Sequence, residues 1–334
     1  MNAEEQLIKR IARGVPSQLG RGSGGLRLGI GDDAAVIRPV RGTELVLTCD
    51  AFLEGVHFLA TTHPPDSVGY KSLARATSDI AAMGATPRFF LLTLALPQKR
   101  TGRWLDQFLR GMGRAARSLG VQLIGGDTTK SGEVAISITV VGEVGPGQAV
   151  TRSGARPGDL IYVSGILGRA QVGLELVLAD KGRQRSLAAI VRPHLYPRIR
   201  VELGSWLARH RIASAMMDIS DGLSTDLARL AEASGVGARI RTDLIPAAPV
   251  SEAVSRLLPR QRLDALQMAL HGGDDYELLF TVPRRKVKRL RAAPGFAGIT
   301  CIGEVTQGRR LLQVNRNGKT RELKAHGWDP FRRR

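Results

Sequence analysis

The sequence predicts an α/β fold built as two layered domains, each with a mixed sheet covered by helices. The chain has 334 residues, more than a single hydrophobic core usually supports. Apolar residues make up 43% of the chain and aromatic residues only 4%, which is typical of a globular α/β protein rich in aliphatic side chains. Strand-like apolar runs alternate with segments of helical spacing in both halves, which favours layered α/β domains.

The first half contains four predicted strands and two predicted helices. Branched and apolar residues, which favour buried strands, are concentrated in residues 44–50, 89–96, 121–126 and 134–144. Apolar residues recur at helical spacing over 66–83 and 103–119. Gly84 and Gly120 are placed to end these two helices.

The segment GPGQAVTRSGARPGD (145–159) is rich in glycine and proline and shows no periodicity. We therefore expect the domain junction there, with domains over 1–148 and 149–334. The second half repeats the pattern of the first. Its predicted strands are 160–165, 213–220, 276–282 and 299–305, and its predicted helices are 168–180, 198–210 and 222–234. The strand order in either sheet does not follow from the sequence.

The composition argues against membrane and secreted proteins. No apolar run reaches the roughly 18–20 residues that a membrane span needs, and the N-terminus lacks the apolar segment of a signal peptide. Cys49 and Cys301 are far apart in apolar surroundings, which favours reduced core thiols over a disulfide. We therefore expect a cytoplasmic protein with no membrane partner.

The formal net charge of +19 has two explanations. One is a phosphate-rich partner such as RNA, and the other is a basic surface that keeps the protein soluble. Most arginines are scattered, apart from short runs such as the terminal FRRR, and no aromatic residues that would stack on bases are interleaved with them. This pattern favours the second explanation, so we expect no specific nucleic acid to bind.

Aspartates are concentrated in six short motifs with small neighbours. The motifs are GIGDDAAV (29–36), LTCD (47–50), TSDIAAMG (77–84), GGDT (125–128), DISDG (218–222) and GGDDYE (272–277). They hold nine of the 17 aspartates, although the chain as a whole is basic. This concentration indicates a shared function.

Known phosphate-binding loops explain these motifs poorly. GIGDDA has the letters of a dinucleotide loop, but no buried strand precedes it and its two carboxylates would face the pyrophosphate. The sequence lacks the Walker and protein-kinase signatures. If phosphate binds at these motifs, we expect it to bind through a metal ion.

Magnesium suits the motifs better. Mg²⁺ prefers oxygen ligands, keeps several waters and bridges carboxylates to phosphate oxygens. Asp50, Asp127 and the pair Ser220–Asp221 each end an apolar strand in the predicted fold, where open α/β sheets place their ligands. Taken singly, Asp79 or Asp221 is more typical of a turn or a helix cap than of a metal site. The set as a whole favours a metal site.

In these motifs the chain resembles the thiamine-monophosphate kinases, in the superfamily that includes aminoimidazole ribonucleotide synthetase. The resembling segments follow one another across nearly the whole chain. They are GIGDDAAV (29–36), TCDAFLEGVHF (48–58), YKSLARATSDIAAMGATP (70–87), LIGGDTTKSG (123–132), TRSGARPGD (151–159), DISDGLSTDL (218–227) and GGDDYELLFTV (272–282).

The resemblance implies a fold, a reaction and partners. The N-terminal α/β domains of two subunits would pair into a dimeric β-barrel, so a homodimer is expected. The implied reaction transfers a phosphoryl group from the co-substrate ATP to thiamine monophosphate, giving thiamine diphosphate and ADP, with several Mg²⁺ ions.

The resemblance also implies roles for individual residues. Metal would be bound by Asp33, Thr48, Cys49, Asp50, Asp79, Asp127, Asp218 and Asp221. ATP would be contacted by Gly126, Asp127, Arg152 and Ser220, with Asp127 acting through metal. Thiamine monophosphate would meet His57, Asp274 and Trp328. Asp50 and Asp127 are expected to be the most critical residues.

Three positions depart from the pattern that we expect for the family. Residue 49 is Cys rather than Thr, so a metal contact there would use the backbone carbonyl, because a thiol suits Mg²⁺ poorly. Asp274 stands where a longer Glu is common, and Trp328 lies in the short motif HGWDPF (326–331). Trp328 would stack on the substrate rings, worth about 0.5–2 kcal/mol, or dock on the core. His57 would contact substrate or be a surface imidazole.

The implied chemistry needs no general base. The second pKa of a phosphate monoester is about 6, so the acceptor is already anionic near neutrality. The obstacle is the approach of two anions, which requires fixed cations and accurate positioning. Arg152 is the expected direct phosphate contact, because its planar guanidinium matches phosphate geometry.

Two alternatives remain. One is another ATP-using member of the superfamily, such as aminoimidazole ribonucleotide synthetase or a selenophosphate synthetase. The latter needs a reactive Cys or selenocysteine in its N-terminal glycine loop, and GRGSGGLRLGIG (20–31) contains neither. The other is a basic RNA-binding protein, which would show clustered Lys and Arg with exposed aromatic residues.

Overall fold

The computed structural model describes residues 3–15, 25–258, 263–291 and 298–331. Contacts divide the chain into two compact units. The N-terminal unit comprises Met1–Ala81 with Ala85–Gly147, and the C-terminal unit comprises Ala82–Gly84 with Gln148–Arg334. The short segment 82–84 joins the second unit because the Val150 N–H donates to the Met83 carbonyl at 3.0 Å.

The N-terminal unit is a four-stranded sheet with helices and a small strand pair. Its elements are α1 (Ala3–Gly14), β1 (Leu26–Leu28), β2 (Val36–Ile37), β3 (Glu44–Leu53), α2 (Pro65–Ala82), β4 (Thr86–Leu96), α3 (Arg103–Leu119), β5 (Gln122–Lys130) and β6 (Ala135–Val144). The sheet has the order β3-β6-β4-β5. β6 is antiparallel to β3 and β4, and β5 is parallel to β4.

Helices α2 and α3 pack closely because glycines lie where they meet. A Cβ added to Gly69 would overlap the Phe108 carbonyl, and one added to Gly111 would overlap the Asp66 carbonyl. α3 buries an apolar stripe that includes Phe108 and Met112, as its helical spacing predicts. It ends at Gly120, whose φ of 68° is the left-handed conformation that glycine adopts at helix ends.

The two faces of the N-terminal sheet differ. Side chains alternate between the faces of a strand, and in β3 the even-numbered residues are the more buried set, ending with buried Phe52. The odd-numbered side chains of β3 are exposed, and Leu47 reaches 63% exposure. One face therefore presents apolar residues to solvent in this unit.

The C-terminal unit is a seven-stranded sheet with helices. Its elements are β7 (Leu160–Ser164), α4 (Arg169–Leu178), α5 (Ala188–Leu195), α6 (Val201–Arg209), β8 (Ala215–Ile219), α7 (Leu223–Ser234), β9 (Gly237–Arg241), α8 (Glu252–Leu257), α9 (Ala265–His271), β10 (Glu277–Val282), α10 (Val287–Arg291), β11 (Ile299–Thr306), β12 (Leu311–Val314) and β13 (Thr320–Glu322). The strand order is β13-β12-β9-β11-β7-β10-β8. The pairs are antiparallel except β12 with β9.

Strand β10 is buried along its whole length. Leu279 belongs to one apolar cluster, which also contains Leu227 of α7. Leu278 and Phe280 belong to a second cluster, which contains Leu207 of α6. Apolar side chains on both faces explain why Leu278, Leu279 and Phe280 are consecutive apolar residues rather than alternating with polar ones.

The predicted α/β class with two domains of mixed sheet and helix is confirmed in this coarse form. Strands β3 and β5, however, continue to Leu53 and Lys130, beyond the predicted ends at 50 and 126. The ladders to β6 and β4 remain in register through these extra residues. The expectation that Asp50 and Asp127 end their strands is therefore wrong, because pairing with the neighbouring strands continues past both aspartates.

Cys49 and Cys301 are both free thiols. Cys301 is half-buried, but Cys49 is exposed, so the expectation of two core thiols is wrong for Cys49. Its odd-numbered position on β3 turns it toward the face of the sheet on which the β3 side chains are exposed. Within the described ranges, the helices are too short or too polar to cross a lipid bilayer.

Candidate active site

In the N-terminal unit, strand β3 and helix α2 bring three predicted metal ligands together. Thr48 and Asp50 point to the same side of β3, because they are two residues apart. Arg75 and Asp79 lie one turn apart on α2. The Thr48 hydroxyl donates to Asp79 Oδ2 at 2.6 Å. Arg75 donates to both oxygens of Asp50, at 2.8 and 3.3 Å.

His57 lies in the turn that follows β3. The Leu53 N–H donates to His57 Nδ1 at 3.0 Å, so the neutral ring carries its proton on Nε2. The His57 ring centroid lies 5.6 Å from that of Phe52, and the Arg75 guanidinium lies 5.4 Å from the same Phe52 ring. Phe52 therefore connects His57 to the group of Thr48, Asp50 and Asp79.

The Cys49 thiol lies on the opposite face of β3 from this group. Its Sγ is 3.4 Å from the Ser137 hydroxyl. Hydrogen bonds from Ser137 and then Thr139 lower the pKa of the Cys49 thiol, although slight burial and the charge of Asp50 oppose them. The side chain is thus outside the carboxylate group.

Gly126 and Asp127 lie side by side in β5. Gly126 has a φ of 148°, and a Cβ there would overlap the Leu92 carbonyl, so only glycine fits. Asp127 is exposed, and its Oδ1 accepts the Thr128 N–H at 2.8 Å. The Thr128 hydroxyl is buried without a hydrogen-bond partner, on the opposite side of β5 from the Asp127 side chain.

The structure does not bring Asp50 and Asp127 together within the N-terminal unit. β3 and β5 are the two outer strands of its sheet. Asp50 pairs with Ile138, whereas Asp127 pairs through Thr93 with Ser137, so alternation places the two aspartates on opposite faces. Asp33 lies in an exposed turn, where its N–H donates to the Asp32 carboxylate at 2.9 Å.

In the C-terminal unit, Ser220 and Asp221 directly follow β8, as predicted. The buried carboxylate of Asp226 holds this loop, because its Oδ2 accepts the N–H groups of Ser220, Asp221 and Gly222, each at 3.1 Å. Arg229 donates to Asp226 Oδ1 at 3.1 Å and also pairs with the Asp221 carboxylate. Residues 220–222 are called the 220–222 loop below.

Burial has the largest influence on the pKa of Asp226. Burial, and then the charge of Asp221, raises the pKa of Asp226 to about 7, against the backbone N–H donors and Arg229, which favour the ionised carboxylate. A buried carboxyl group is tolerated in a protein where its hydrogen bonds are satisfied, as they are for Asp226.

Two predicted substrate residues donate main-chain hydrogen bonds to the carbonyls of the 220–222 loop. The Asp274 N–H donates to the Ser220 carbonyl at 2.8 Å, and the Trp328 N–H donates to the Asp221 carbonyl at 2.9 Å. The Tyr276 hydroxyl donates to Asp274 Oδ1 at 2.7 Å. Asp274 and Tyr276 have φ values of 67° and 51°, a left-handed conformation that non-glycine residues adopt at a cost and that is often found at functional sites.

The remaining predicted residues of this unit lie apart from those bonds. Asp218 is buried in β8, where it pairs in register with Leu278. Arg152 is exposed in the loop before β7, and its carbonyl accepts the Ser234 hydroxyl at 3.0 Å. One connected group therefore contains Ser220, Asp221, Asp274 and Trp328. Asp218 lies one residue before the end of β8.

Sequence reasoning assigned no role to Arg75, Asp226, Arg229 or Asp275. Arg75 stands four residues before Asp79, which is the helical spacing for one face. Asp226 and Arg229 lie in the helix that follows DISDG. The spacing of Arg75 from Asp79, and of these two residues from DISDG, was the sequence signal that could have identified them. Asp275 caps α4 by accepting the Gly168 and Ala170 N–H groups at 2.5 and 3.1 Å. Burial raises the pKa of Asp275 to about 7.

The donor atoms fit magnesium. Within the part of the chain that the structure describes, no three His, Cys, Asp or Glu side chains form a ready-made metal cage. Mg²⁺ does not need one, because it is usually held by one or two carboxylates, waters and substrate phosphates. Thr48, Asp50 and Asp79 offer hard oxygen donors on one side of β3, and the soft Cys49 thiol faces away.

Comparison with known proteins identifies the family of the chain. Residues 31–144 match the N-terminal domain of the AIR synthase related proteins, and residues 156–312 match their C-terminal domain. The thiamine-monophosphate kinase of Escherichia coli O157:H7 is 39% identical over 314 residues, which cover 92% of each chain.

Solved structures show the same relationship. The crystal structure of thiamine-monophosphate kinase from Stenotrophomonas maltophilia K279a is 37% identical, with a TM-score of 0.80 over 96% of this chain and 98% of that one. The structure of AaThiL complexed with AMPPCP and TMP is 34% identical, with a TM-score of 0.75 over 90% and 91% of the two chains. The chain therefore belongs to the thiamine-monophosphate kinase family of AIR synthase related proteins.

Proposed function

We propose that this chain transfers the γ-phosphoryl group of ATP to thiamine monophosphate, giving thiamine diphosphate and ADP. The observation that carries the proposal is the relative that holds AMPPCP, an ATP analogue, together with TMP. That relative matches this chain over nine tenths of its length, so the resemblance includes both units. We place the enzyme in the cytoplasm.

The acceptor is thiamine monophosphate, and the 220–222 loop supports its recognition. The main chain of Asp274 and Trp328 is bonded to that loop, and the Trp328 side chain is 38% exposed, so its ring is available to stack on a thiazolium or pyrimidine. His57, with its proton on Nε2, can donate to a phosphate oxygen. These three side chains are the proposed contacts of the acceptor.

The oxygen donors of the aspartate motifs are the proposed ligands of several Mg²⁺ ions. The proposed ligands are Asp33, Thr48, Asp50, Asp79, Asp127, Asp218, Asp221 and the carbonyl of Cys49. Bound Mg²⁺ would neutralise the charge on the two reacting phosphates. Gly126, Arg152 and Ser220 are the proposed direct contacts of ATP.

The residues of this chain act by positioning rather than by proton transfer. The acceptor phosphate is already an anion near neutral pH, so direct in-line attack needs no base. Arg75 and Arg229 satisfy Asp50 and Asp221 in the protein without ligands. These arginines keep the carboxylates ordered until cations and phosphates replace them, which lowers the cost of assembling the site.

We further propose that residues 1–148 form the metal, ATP and dimerisation domain and that 149–334 form the second domain. Supporting the dimer, the face of the N-terminal sheet that β1 and β2 cover only in part exposes Leu45 and Leu47 at 40% and 63%. A second copy covering this face would produce the dimeric β-barrel, because the described sheet is open at β3 and β5. An exposed apolar surface of this kind usually marks an interface.

The acceptor preference tests the proposed function. ADP release from ATP and Mg²⁺ is measured with thiamine monophosphate and, separately, with free thiamine. We expect turnover only with the monophosphate, because the hydroxyl of thiamine needs a base and lies a phosphate's length short of the γ-phosphate. Free thiamine should be at most a weak competitive inhibitor. Efficient phosphorylation of free thiamine would refute the proposed acceptor.

A further inference from the structure

The 220–222 loop has hydrogen-bond donors on one side and acceptors on the other, and each side has a distinct partner. Its three N–H groups all donate to Asp226 Oδ2. Its carbonyls at Ser220 and Asp221 accept the N–H groups of Asp274 and Trp328. Two peptide groups of the loop therefore connect Asp226 to the two proposed acceptor contacts. Each donates its N–H to Asp226, and its carbonyl accepts the N–H of Asp274 or Trp328.

The surroundings leave the loop little freedom to shift. A Cβ added to Gly327 would overlap the Asp221 carbonyl, and one added to Gly273 would meet the Ser220 carbonyl at 2.7 Å. The Gly327 N–H also donates to the Thr225 hydroxyl at 2.9 Å. Both substrate segments thus press directly on the backbone that Asp226 holds, so a movement of the loop must move them.

Asp226 itself is rigidly placed. It is 0% exposed, it lies in the first turn of α7, and Arg229 one turn later binds its second oxygen. A carboxylate at a helix N-terminus that accepts several N–H groups forms strong, charge-assisted hydrogen bonds. It therefore fixes the loop relative to α7, which is itself packed in the core.

We propose that Asp226 is the positioning residue for the acceptor side of the site: by holding the N–H groups of the 220–222 loop, it sets the places of Asp274 and Trp328. Asp226 does not touch substrate in this account. The inference rests on the proposed function only for its kinetic effect, since the positioning of Trp328 is a property of the protein without substrates.

The first test reads the position of Trp328 without substrates. Trp104→Phe and Trp206→Phe leave Trp328 as the sole tryptophan, and acrylamide quenching then reports its exposure. In this background, Asp226→Ala should raise the quenching constant severalfold. Asp226→Asn should stay near the parent, because the amide oxygen still accepts the three N–H groups.

Asp159→Ala is the matched control. Asp159 is also buried and accepts the Arg156 N–H at 3.1 Å and the Ser214 hydroxyl at 2.7 Å. Ser214 precedes β8, whereas Ser220 follows it, so the control removes similar bonds at the opposite end of the same strand. Quenching of Trp328 should not change in this control, provided that both variants are measured well below their unfolding temperatures.

The second test is kinetic. Asp226→Ala should raise KM for thiamine monophosphate by at least about tenfold, equal to about 1.4 kcal/mol, and should raise KM for ATP much less. Asp226→Asn should have a KM for thiamine monophosphate close to that of the parent. If the role of Asp226 were purely structural, Asp226→Ala would lower the amount of active enzyme and leave both KM values unchanged.

Three results would overturn the proposal. One is a folded Asp226→Ala protein with unchanged Trp328 quenching. Another is an Asp226→Asn protein as impaired as Asp226→Ala. The third is an equal rise in quenching for Asp159→Ala. If Asp226→Ala does not fold, Asp226→Asn decides alone, and an increase in its Trp328 quenching contradicts the account. If thiamine monophosphate proves not to be the substrate, the quenching result still stands.

Discussion

Arginines neutralise two of the proposed metal-binding carboxylates in this protein. Asp50 is paired with Arg75, and Asp221 is paired with Arg229. All four side chains are partly exposed, between 18% and 42%, so solvent screens these pairs and each is expected to be weak. A divalent ion can therefore displace the arginines at modest cost, which reconciles the acidic motifs with a chain of net charge +19.

Asp50→Asn and Asp127→Asn should each reduce kcat more than tenfold, a loss above about 1.4 kcal/mol. The amide cannot supply the anionic oxygen that Mg²⁺ prefers. Steady-state kinetics at saturating Mg²⁺ and circular dichroism measure activity and fold together. Asp66→Asn is the control, since Asp66 also pairs with an arginine, Arg114, in the same unit. A variant that keeps more than a tenth of the parent kcat would show that its residue is not a metal ligand.

Trp328→Ala should raise KM for thiamine monophosphate more than it lowers kcat. Ring stacking is similar in the ground and transition states, so its loss affects mainly binding. Phe331→Ala is the matched control, because Phe331 is 93% exposed in the same terminal segment and should change neither constant. An unchanged KM in Trp328→Ala would show that this residue only packs against the 220–222 loop.

Individual site residues were predictable only where a motif carried them. Ser220, Asp221, Asp274 and Trp328 follow from the resemblance to the kinase family, and the structure joins them through main-chain hydrogen bonds. The role of Asp226 required the structure, because its spacing from DISDG does not show that three backbone N–H groups converge on its carboxylate. The opposite faces of Asp50 and Asp127 also required the strand register.

At the scale of elements, local pattern predicted the centres of strands and helices better than their ends. Helix α3 has the predicted bounds because an apolar stripe and Gly120 specify it locally. β5 continues through GGDTTK, since β4 supplies a parallel partner as far as Lys130. Non-local pairing of this kind is invisible in a single sequence. The short strands β12 and β13 were missed because none of their residues is fully buried, so they leave no core pattern in the sequence.

The N-terminus of α4 gives a prediction about pH. Burial raises the pKa of its capping residue Asp275 from 3.8 to about 7, so native Asp275 holds a proton that the unfolded chain releases between those pH values. The free energy of unfolding should therefore fall as pH rises through this window. Asp275→Asn keeps an acceptor for the Gly168 and Ala170 N–H groups and should flatten this slope by up to about 1.4 kcal/mol per pH unit.

Urea unfolding at several pH values between 4 and 7 measures this slope. Asp243→Asn is the control, because hydrogen bonding to Arg241 lowers the pKa of the exposed Asp243. Its titration therefore falls below the window. An Asp275→Asn protein with the slope of the parent would show that Asp275 is ionised throughout the range.

At the scale of the whole molecule, exposed apolar side chains are unevenly distributed. Among the described residues, most large exposed apolar side chains lie in the N-terminal unit, and Leu47 is the most exposed of those in that unit. The C-terminal unit buries its apolar residues in its own clusters. The N-terminal sheet is thus the part of the chain with a surface left for a second copy.

Leu47→Asp should convert the proposed dimer to a monomer with modest loss of monomer stability, because the Leu47 side chain is 63% exposed within its own unit. Light scattering coupled to size-exclusion chromatography measures the mass. Leu178→Asp is the control, since Leu178 is 50% exposed in the C-terminal unit and should leave the dimer intact. A parent protein that is monomeric at micromolar concentration, or a dimer insensitive to Leu47→Asp, would contradict the proposed barrel.

The most direct test of the central claim follows the γ-phosphate of ATP. The protein is incubated with γ-³²P-labelled ATP, Mg²⁺ and thiamine monophosphate, and the products are separated. Direct transfer predicts that the label appears in thiamine diphosphate, in its terminal phosphate, in an amount equal to the ADP formed. Label recovered as inorganic phosphate, with thiamine monophosphate unchanged, would contradict the account and indicate one of the other ATP-dependent reactions of the superfamily.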